Sequence, residues 1–256
     1  IPNYGWHSVL LAGAIAPLAL TVLLVLFLPE SVKYLVHRGK GVAQVKRIAQ
    51  RFISGSLEQV TQFYLDEDRV TVKKGSVAQL FSMPWLPGTL MLWMTYFMGL
   101  VIYYVLLSWM PTLMLGMGYP LAESAWLTSL FTFGGTAGIL LAGWLMDRWE
   151  AHKVVSLGFI LTMLFALALG FEHNHIILFG ALIFLMGITM NGAQSGLQTL
   201  AATFYPTHCR ATGIAWMQGV GRFGGVAGTM MSAQLLSLQW QADSILMFLS
   251  LPALIA

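Results

Sequence analysis

Charge is scarce in this chain of 256 residues: only 9% are Asp, Glu, Lys or Arg, against about 25% in an average soluble domain. A water-facing globule of this length is thereby excluded. Cysteine is scarcer still. Cys209 stands alone, which rules out an internal disulfide and a multi-cysteine metal site, and its place beside Arg210 reads as that of an ordinary small residue. The chain also lacks a His-Glu-x-x-His motif and a Gly-rich phosphate loop ending in Gly-Lys-Ser or Gly-Lys-Thr. With no catalytic constellation in view, an enzyme is not expected, nor a cofactor or a metal.

What fills the chain is apolar residues, 57% of the total, gathered into long runs. These run from His7 to Leu28, Leu86 to Trp109, Ser124 to Met146, Val154 to Phe171, Ile176 to Phe204 and Ala211 to Leu236, with a last one from Ile245 to the final Ala256. Each complete run is close to or above the roughly 20 residues a helix needs to cross the hydrocarbon core. Threading them back and forth gives a second regularity. The connections on one side carry Lys33, Arg38, Lys40, Lys46, Arg47, Arg51, Arg69, Lys73 and Lys74, then Arg148 and Lys153, then Arg210, while those on the other carry none. The positive-inside rule makes the basic side cytoplasmic. The formal net charge of +3 therefore calls for no nucleic acid. The expectation is an all-α, multi-pass integral membrane protein.

Three regions are expected: a span over residues 1–28, a cytoplasmic linker over 29–85, and a membrane bundle over 86–256. In the linker, Val42, Val45, Ile48, Ala49 and Phe52 recur at helical steps with Lys46, Arg47 and Arg51 between them, the pattern of an amphipathic surface helix. The chain opens on Ile1 without a signal-peptide pattern and stops within an apolar run, so both ends read as boundaries of a fragment whose partner is an N-terminal half.

Within the spans the chemistry is concentrated. No Asp or Glu falls inside any of the runs, yet Arg222 lies twelve residues beyond Arg210, roughly 18 Å deeper at 1.5 Å per residue. A cation there costs at least about 2.5 kcal/mol unless it faces a cavity or a partner, which leaves an anionic substrate, backbone carbonyls or a structural ion pair with an acid of the N-terminal half to compensate it. Polar residues line up with it: Gln218, Arg222 and Gly225 on one stripe, Asn191, Gln194 and Gln198 on another, Tyr96, Gly99 and Tyr103 on a third. Buried in lipid such groups would be costly, so these faces are expected to look inward. Function and simple interhelical hydrogen bonding both remain open for the amides and tyrosines. Small-residue pairs, Gly221 with Gly225 and Gly224 with Gly228, let helix backbones approach closely.

Several of these segments together resemble a known family. Gly143-Trp-Leu-Met-Asp147-Arg148, leading to His152 and Lys153, is similar to the Gly-x-x-x-Asp-Arg-x-Gly-x-basic-basic loop of the major facilitator superfamily, although Glu150 stands where that loop usually has Gly and His152 where it has a basic residue. Leu28-Pro29-Glu30-Ser31 resembles a signature that follows the sixth span. Tyr205-Pro206-Thr207, Arg210-Ala211-Thr212-Gly213 and Gly221-Arg222-Phe223-Gly224 resemble the junction of the tenth and eleventh spans in aromatic acid:proton symporters, and Thr95 to Leu100 with Ser108 to Thr112 resembles benzoate and 4-hydroxybenzoate permeases.

The resemblance implies a transporter of the bacterial cytoplasmic membrane, comprising here the last span of a first half, the linker and most of a second six-helix half. It implies import of a small aromatic carboxylate with protons as coupling ion, by alternating access. Arg222 would then meet the carboxylate, with Asn191, Gln194, Gln198, Gln218, Tyr96 and Tyr103 lining the site. Gly143, Asp147, Arg148, Lys153 and Arg210 would form an inner gate. Carriage of another organic anion or a sugar acid, and a transporter-fold sensor that binds without transport, are the alternatives.

Overall fold

The structure is a computed structural model, and it describes residues 5–27, 45–46, 77–171 and 175–256. The chain divides into two units, 1–71 and 72–256, within the stretch expected to be a linker. In the first unit, α1 (Gly5–Phe27) is a 23-residue helix that keeps Pro17 inside it. The Thr21 hydroxyl donates to the Pro17 carbonyl at 2.8 Å. Of the expected amphipathic helix only Val45 and Lys46 are described, both helical, with Val45 buried. The rest of that helix and the Leu28 to Ser31 signature lie outside the described residues.

The second unit is built from α2 (Val77–Leu80), α3 (Leu86–Gly116), α4 (Leu121–Met146), α5 (Ala151–Phe171), α6 (Ile176–Phe204), α7 (Thr207–Ser237), α8 (Ala242–Phe248) and α9 (Ser250–Ile255). Helix is what an apolar run must form in lipid, because it satisfies its own backbone groups. Among the described residues α3, α4, α5 and α6 are long and apolar enough to cross a membrane. α7 matches α3 in length at 31 residues. Its glycines, Gln218 and Arg222 keep it out of that group, as suits a helix whose surroundings are partly polar.

Helix ends depart from expectation at places chemistry explains. α3 runs past Trp109 to Gly116 although Pro111 lies inside it, since a proline forfeits one backbone bond but a long helix can bridge the gap. α3 stops where Gly118 adopts φ +89°. There the Tyr119 N–H donates to the Met114 carbonyl and the Gly118 N–H to Leu115, a glycine-closed C-terminus that needs the left-handed backbone. The end of α7 repeats this arrangement with Gln239 at φ 61°. The last run is not one helix from Ile245. It begins at Ala242 and is interrupted at Leu249, because Pro252 has no N–H to give the Phe248 carbonyl.

Short connections reverse the chain at each turn, so α3, α5 and α7 run one way and α4, α6 and α8 the other. The basic residues Arg148, Lys153 and Arg210 share one end, called the basic end below. The two most extensive packings are α4 on α6 and α3 on α7, both between parallel helices. The order α3, α4, α5 is thus repeated upside down by α6, α7 and the α8–α9 pair: the first helix of each set packs on the second of the other. Inverted repeats of this kind build many transporter folds.

Glycine permits both pairs. A Cβ on Gly224 would strike the Phe97 carbonyl oxygen and one on Gly228 the Val101 carbonyl. On the other pair, Gly134 meets Phe184 and Gly138 meets Ile188 in the same way. Around these contacts one apolar core runs through the unit, with Leu106, Phe131, Phe179, Met190 and Tyr205 fully buried within it.

Candidate functional site

Close approach of α7 to α3 determines what meets at mid-helix. Gly221 leaves room for the Tyr96 ring, which lies flush against it, and Gly225 does the same for Tyr104. Across from α7, α6 presents two amides to the same tyrosine. Gln194 Nε2 donates to the Tyr96 backbone carbonyl at 3.4 Å, and Gln198 Nε2 donates to the Tyr96 hydroxyl at 3.5 Å. Arg222, exposed on α7, lies within electrostatic reach of that hydroxyl. Among the described residues Arg222 forms no ion pair. Three helices thus bring Tyr96, Gln194, Gln198 and Arg222 together.

Burial sorts these four, with Tyr96 at 7% exposed the deepest. Gln194 is 9% exposed and its Oε1 is unpaired, pressed on Gly99 at the α3–α6 contact. It holds Tyr96 in place. Gln198 and Arg222 are exposed and free to meet a ligand. Since the phenol accepts from Gln198, its own hydrogen remains available. A guanidinium within electrostatic reach of a phenol O–H forms with it a donor pair of the kind that suits a carboxylate.

The other expected contacts lie elsewhere. Asn191 Nδ2 donates to the Gly187 carbonyl of its own helix at 3.0 Å, and the side chain packs on Gly135 of α4, a position at the α4–α6 seam. Tyr103 sits edge-on to Tyr104, centroids 5.5 Å apart, and 6.2 Å from Phe131, so it bridges α3 to α4. Gln218 is half-buried on α7. Two participants were not anticipated: Gly221 as the seat of Tyr96, and Tyr104. The Gly221 stripe was visible as a packing motif, but its ring partner depends on the register of α7 against α3.

At the basic end the five gate candidates form separate contacts. Gly143 accepts the Asp147 N–H at 3.2 Å, closing α4, and nothing packs where its side chain would be. Asp147 is exposed and makes no ion pair among the described residues. Arg148 lies over the Trp144 ring, 4.0 Å from its centroid. Lys153 pairs with Glu150 at 2.9 Å, and His152 Nε2 lies 3.3 Å from the same carboxylate. Arg210 Nε donates to the Tyr205 carbonyl at 3.4 Å. Glu150, the residue that replaces glycine in the loop pattern, therefore takes the Lys153 ammonium and lies beside the His152 ring. The described residues hold no cluster of His, Cys, Asp and Glu that could bind a metal.

Comparison with known proteins agrees with this architecture. Residues 118–256 match the Major Facilitator Superfamily and residues 2–119 match the family of sugar and other transporters. The chain is 44% identical to a 4-hydroxybenzoate transporter of Acinetobacter baylyi over 99% of its length and 56% of the relative's. It is 38% identical to a gallate transporter of Pseudomonas putida, over all of this chain and 57% of that protein. Identity to a benzoate transport protein of Acinetobacter baylyi is 34%, over all of this chain and 54% of the relative. The chain thus spans little more than half the length of these curated relatives.

Proposed function

Because this chain belongs to the major facilitator superfamily, a family of multi-pass membrane transporters, we propose that it serves the uptake of a small aromatic carboxylate together with protons, by alternating access in a bacterial cytoplasmic membrane. The observation that carries the reading is the meeting of Arg222 with Tyr96 and Gln198. An arginine midway along a long helix that holds no acid is compensated when an anion binds. The guanidinium takes the carboxylate in a two-pronged contact. Tyr96, whose ring is buried against Gly221, adds its hydroxyl hydrogen at the edge of the site. The relatives named for 4-hydroxybenzoate, gallate and benzoate support the substrate class.

Alternation needs a closure that opens. In this reading the basic end faces the cytoplasm, and Asp147 at the end of α4 closes the inner side by accepting hydrogen bonds from a neighbouring helix end or a cation, releasing them as the helices part. Arg148, Lys153 and Arg210 supply positive charge around it.

Uptake of labelled 4-hydroxybenzoate and benzoate into cells making the intact transporter, with and without a protonophore, tests this. Saturable uptake that collapses with the proton gradient is expected. Flux that ignores the gradient removes proton coupling, flux of a sugar acid alone removes the aromatic substrate, and binding without flux leaves a sensor.

A further inference from the structure

Two tyrosine rings of α3 draw together on α7. Tyr96 and Tyr104 are eight residues apart on α3, about 12 Å along its axis. Their seats, Gly221 and Gly225, are four residues apart on α7, about 6 Å. The rings therefore close half of the distance that separates their α-carbons. Arg222 rises from the position directly after the first seat, between the two. Its guanidinium and the Tyr104 hydroxyl both lie within electrostatic reach of the Tyr96 hydroxyl.

The Tyr104 ring is fixed from behind while its polar end is left open. Tyr103 stands edge-on to it with centroids 5.5 Å apart, an arrangement that aromatic pairs favour. Tyr103 in turn lies 6.2 Å from Phe131, which is fully buried on α4. Tyr104 itself is half-buried, more open than Tyr96. None of the hydrogen bonds among the described residues uses its hydroxyl.

A carboxylate accepts at about four lone-pair positions on its two oxygens. A guanidinium fork takes two of them and leaves one on each oxygen. Tyr96 accepts from Gln198 and keeps its own hydrogen to give, and Tyr104 has an uncommitted hydrogen as well. Two phenols converging beside one arginine thus supply the number of donors that the remaining positions require. We propose that Tyr104 donates its hydroxyl hydrogen to the substrate carboxylate, as a third donor beside Arg222 and Tyr96, and so sharpens the preference of the site for an anion. This assignment rests on the carboxylate-binding reading of Arg222 given above.

The test is a calorimetric titration of the intact transporter, purified in detergent, with benzoate and benzamide as probes. Tyr104→Phe keeps the ring on Gly225 and removes only the hydroxyl. Benzoate should bind about tenfold more weakly, the loss of one hydrogen bond to a charged group, while benzamide should lose less than about twofold. The thermal midpoint should not move, since the packing is kept. Benzoate binding at the unsubstituted strength, or equal losses for the two probes, overturns the proposal and leaves Tyr104 as a packing residue. The underlying reading fails in a different way. If the unsubstituted protein binds no benzoate, or Arg222→Ala binds it undiminished, the carboxylate is held elsewhere and the assignment of Tyr104 falls with it.

Discussion

The Arg148 guanidinium lies over the Trp144 ring, one helical turn back, and leaves the neighbouring Asp147 carboxylate without it. Arginine beside an aspartate is ordinarily drawn to it; here the indole face holds the cation. Asp147 is left as an exposed acceptor at the end of α4. If its work is to close and release an inner gate, Asp147→Asn should cut uptake by at least about tenfold, or ~1.4 kcal/mol, with membrane insertion and protein yield near normal. Quantified uptake against immunoblotted protein checks this. Uptake at the unsubstituted rate removes Asp147 from the gate.

Arg222 separates charge from shape. Lysine keeps the charge but loses the planar fork, so Arg222→Lys should weaken benzoate binding about tenfold and Arg222→Ala about a hundredfold, the range expected for one charge-assisted contact. Benzamide, which has no carboxylate, should lose much less in either variant. Equal losses for both ligands in a well-folded protein would move the carboxylate contact elsewhere.

The α3–α7 seam tolerates nothing larger than hydrogen at Gly224. Gly224→Val forces the Phe97 carbonyl away and should cost about 1–3 kcal/mol, as overpacking does. Gly143→Val is its control, since Gly143 meets no neighbour. Thermal unfolding of the two variants should differ by several degrees, and equal midpoints would contradict the seam.

Orientation is open to chemical labelling because the one cysteine of these 256 residues, Cys209, is 3% exposed and so silent to a membrane-impermeant thiol reagent. Cysteines placed at Glu150 should react only from the cytoplasm, and those at Gln241 or beside Tyr119 only from outside. Reaction of one site from both faces would break the threading.

Length and apolarity made α3, α4, α5 and α6 legible in the sequence, because a run that crosses a bilayer has to be helical along its whole length. Ends were less legible. Pro111 reads as a stop yet lies inside α3, whereas Pro252 does interrupt the last run, and the difference rests on the length of helix around each. Site residues divided in the same way. A stripe on one helix can be counted from i, i+3 and i+7, which placed Gln194, Gln198 and Arg222 among the candidates. Which stripe faces which is a property of pairs of helices. Asn191 shares a stripe with Gln194 but turns to Gly135, while Gln194 turns to Tyr96, since the broad face of α6 touches both α4 and α3. Thr89 and Trp93 lie one turn apart on α3, but the Tyr205 that faces them comes from the α6–α7 turn, so no single-helix pattern gathers all three.

Where the carbonyl oxygens of Phe97 and Val101 rest directly on the α-carbons of Gly224 and Gly228, no layer of side chains remains to shear. Helices separated by leucines can slip by exchanging rotamers; two backbones in contact have nothing to exchange. α3 and α7 therefore behave as one strut, and so, through Gly134 and Gly138, do α4 and α6. Spin labels placed across either strut should report the same separation with and without substrate, and any change of shape during a transport cycle must be taken up between struts.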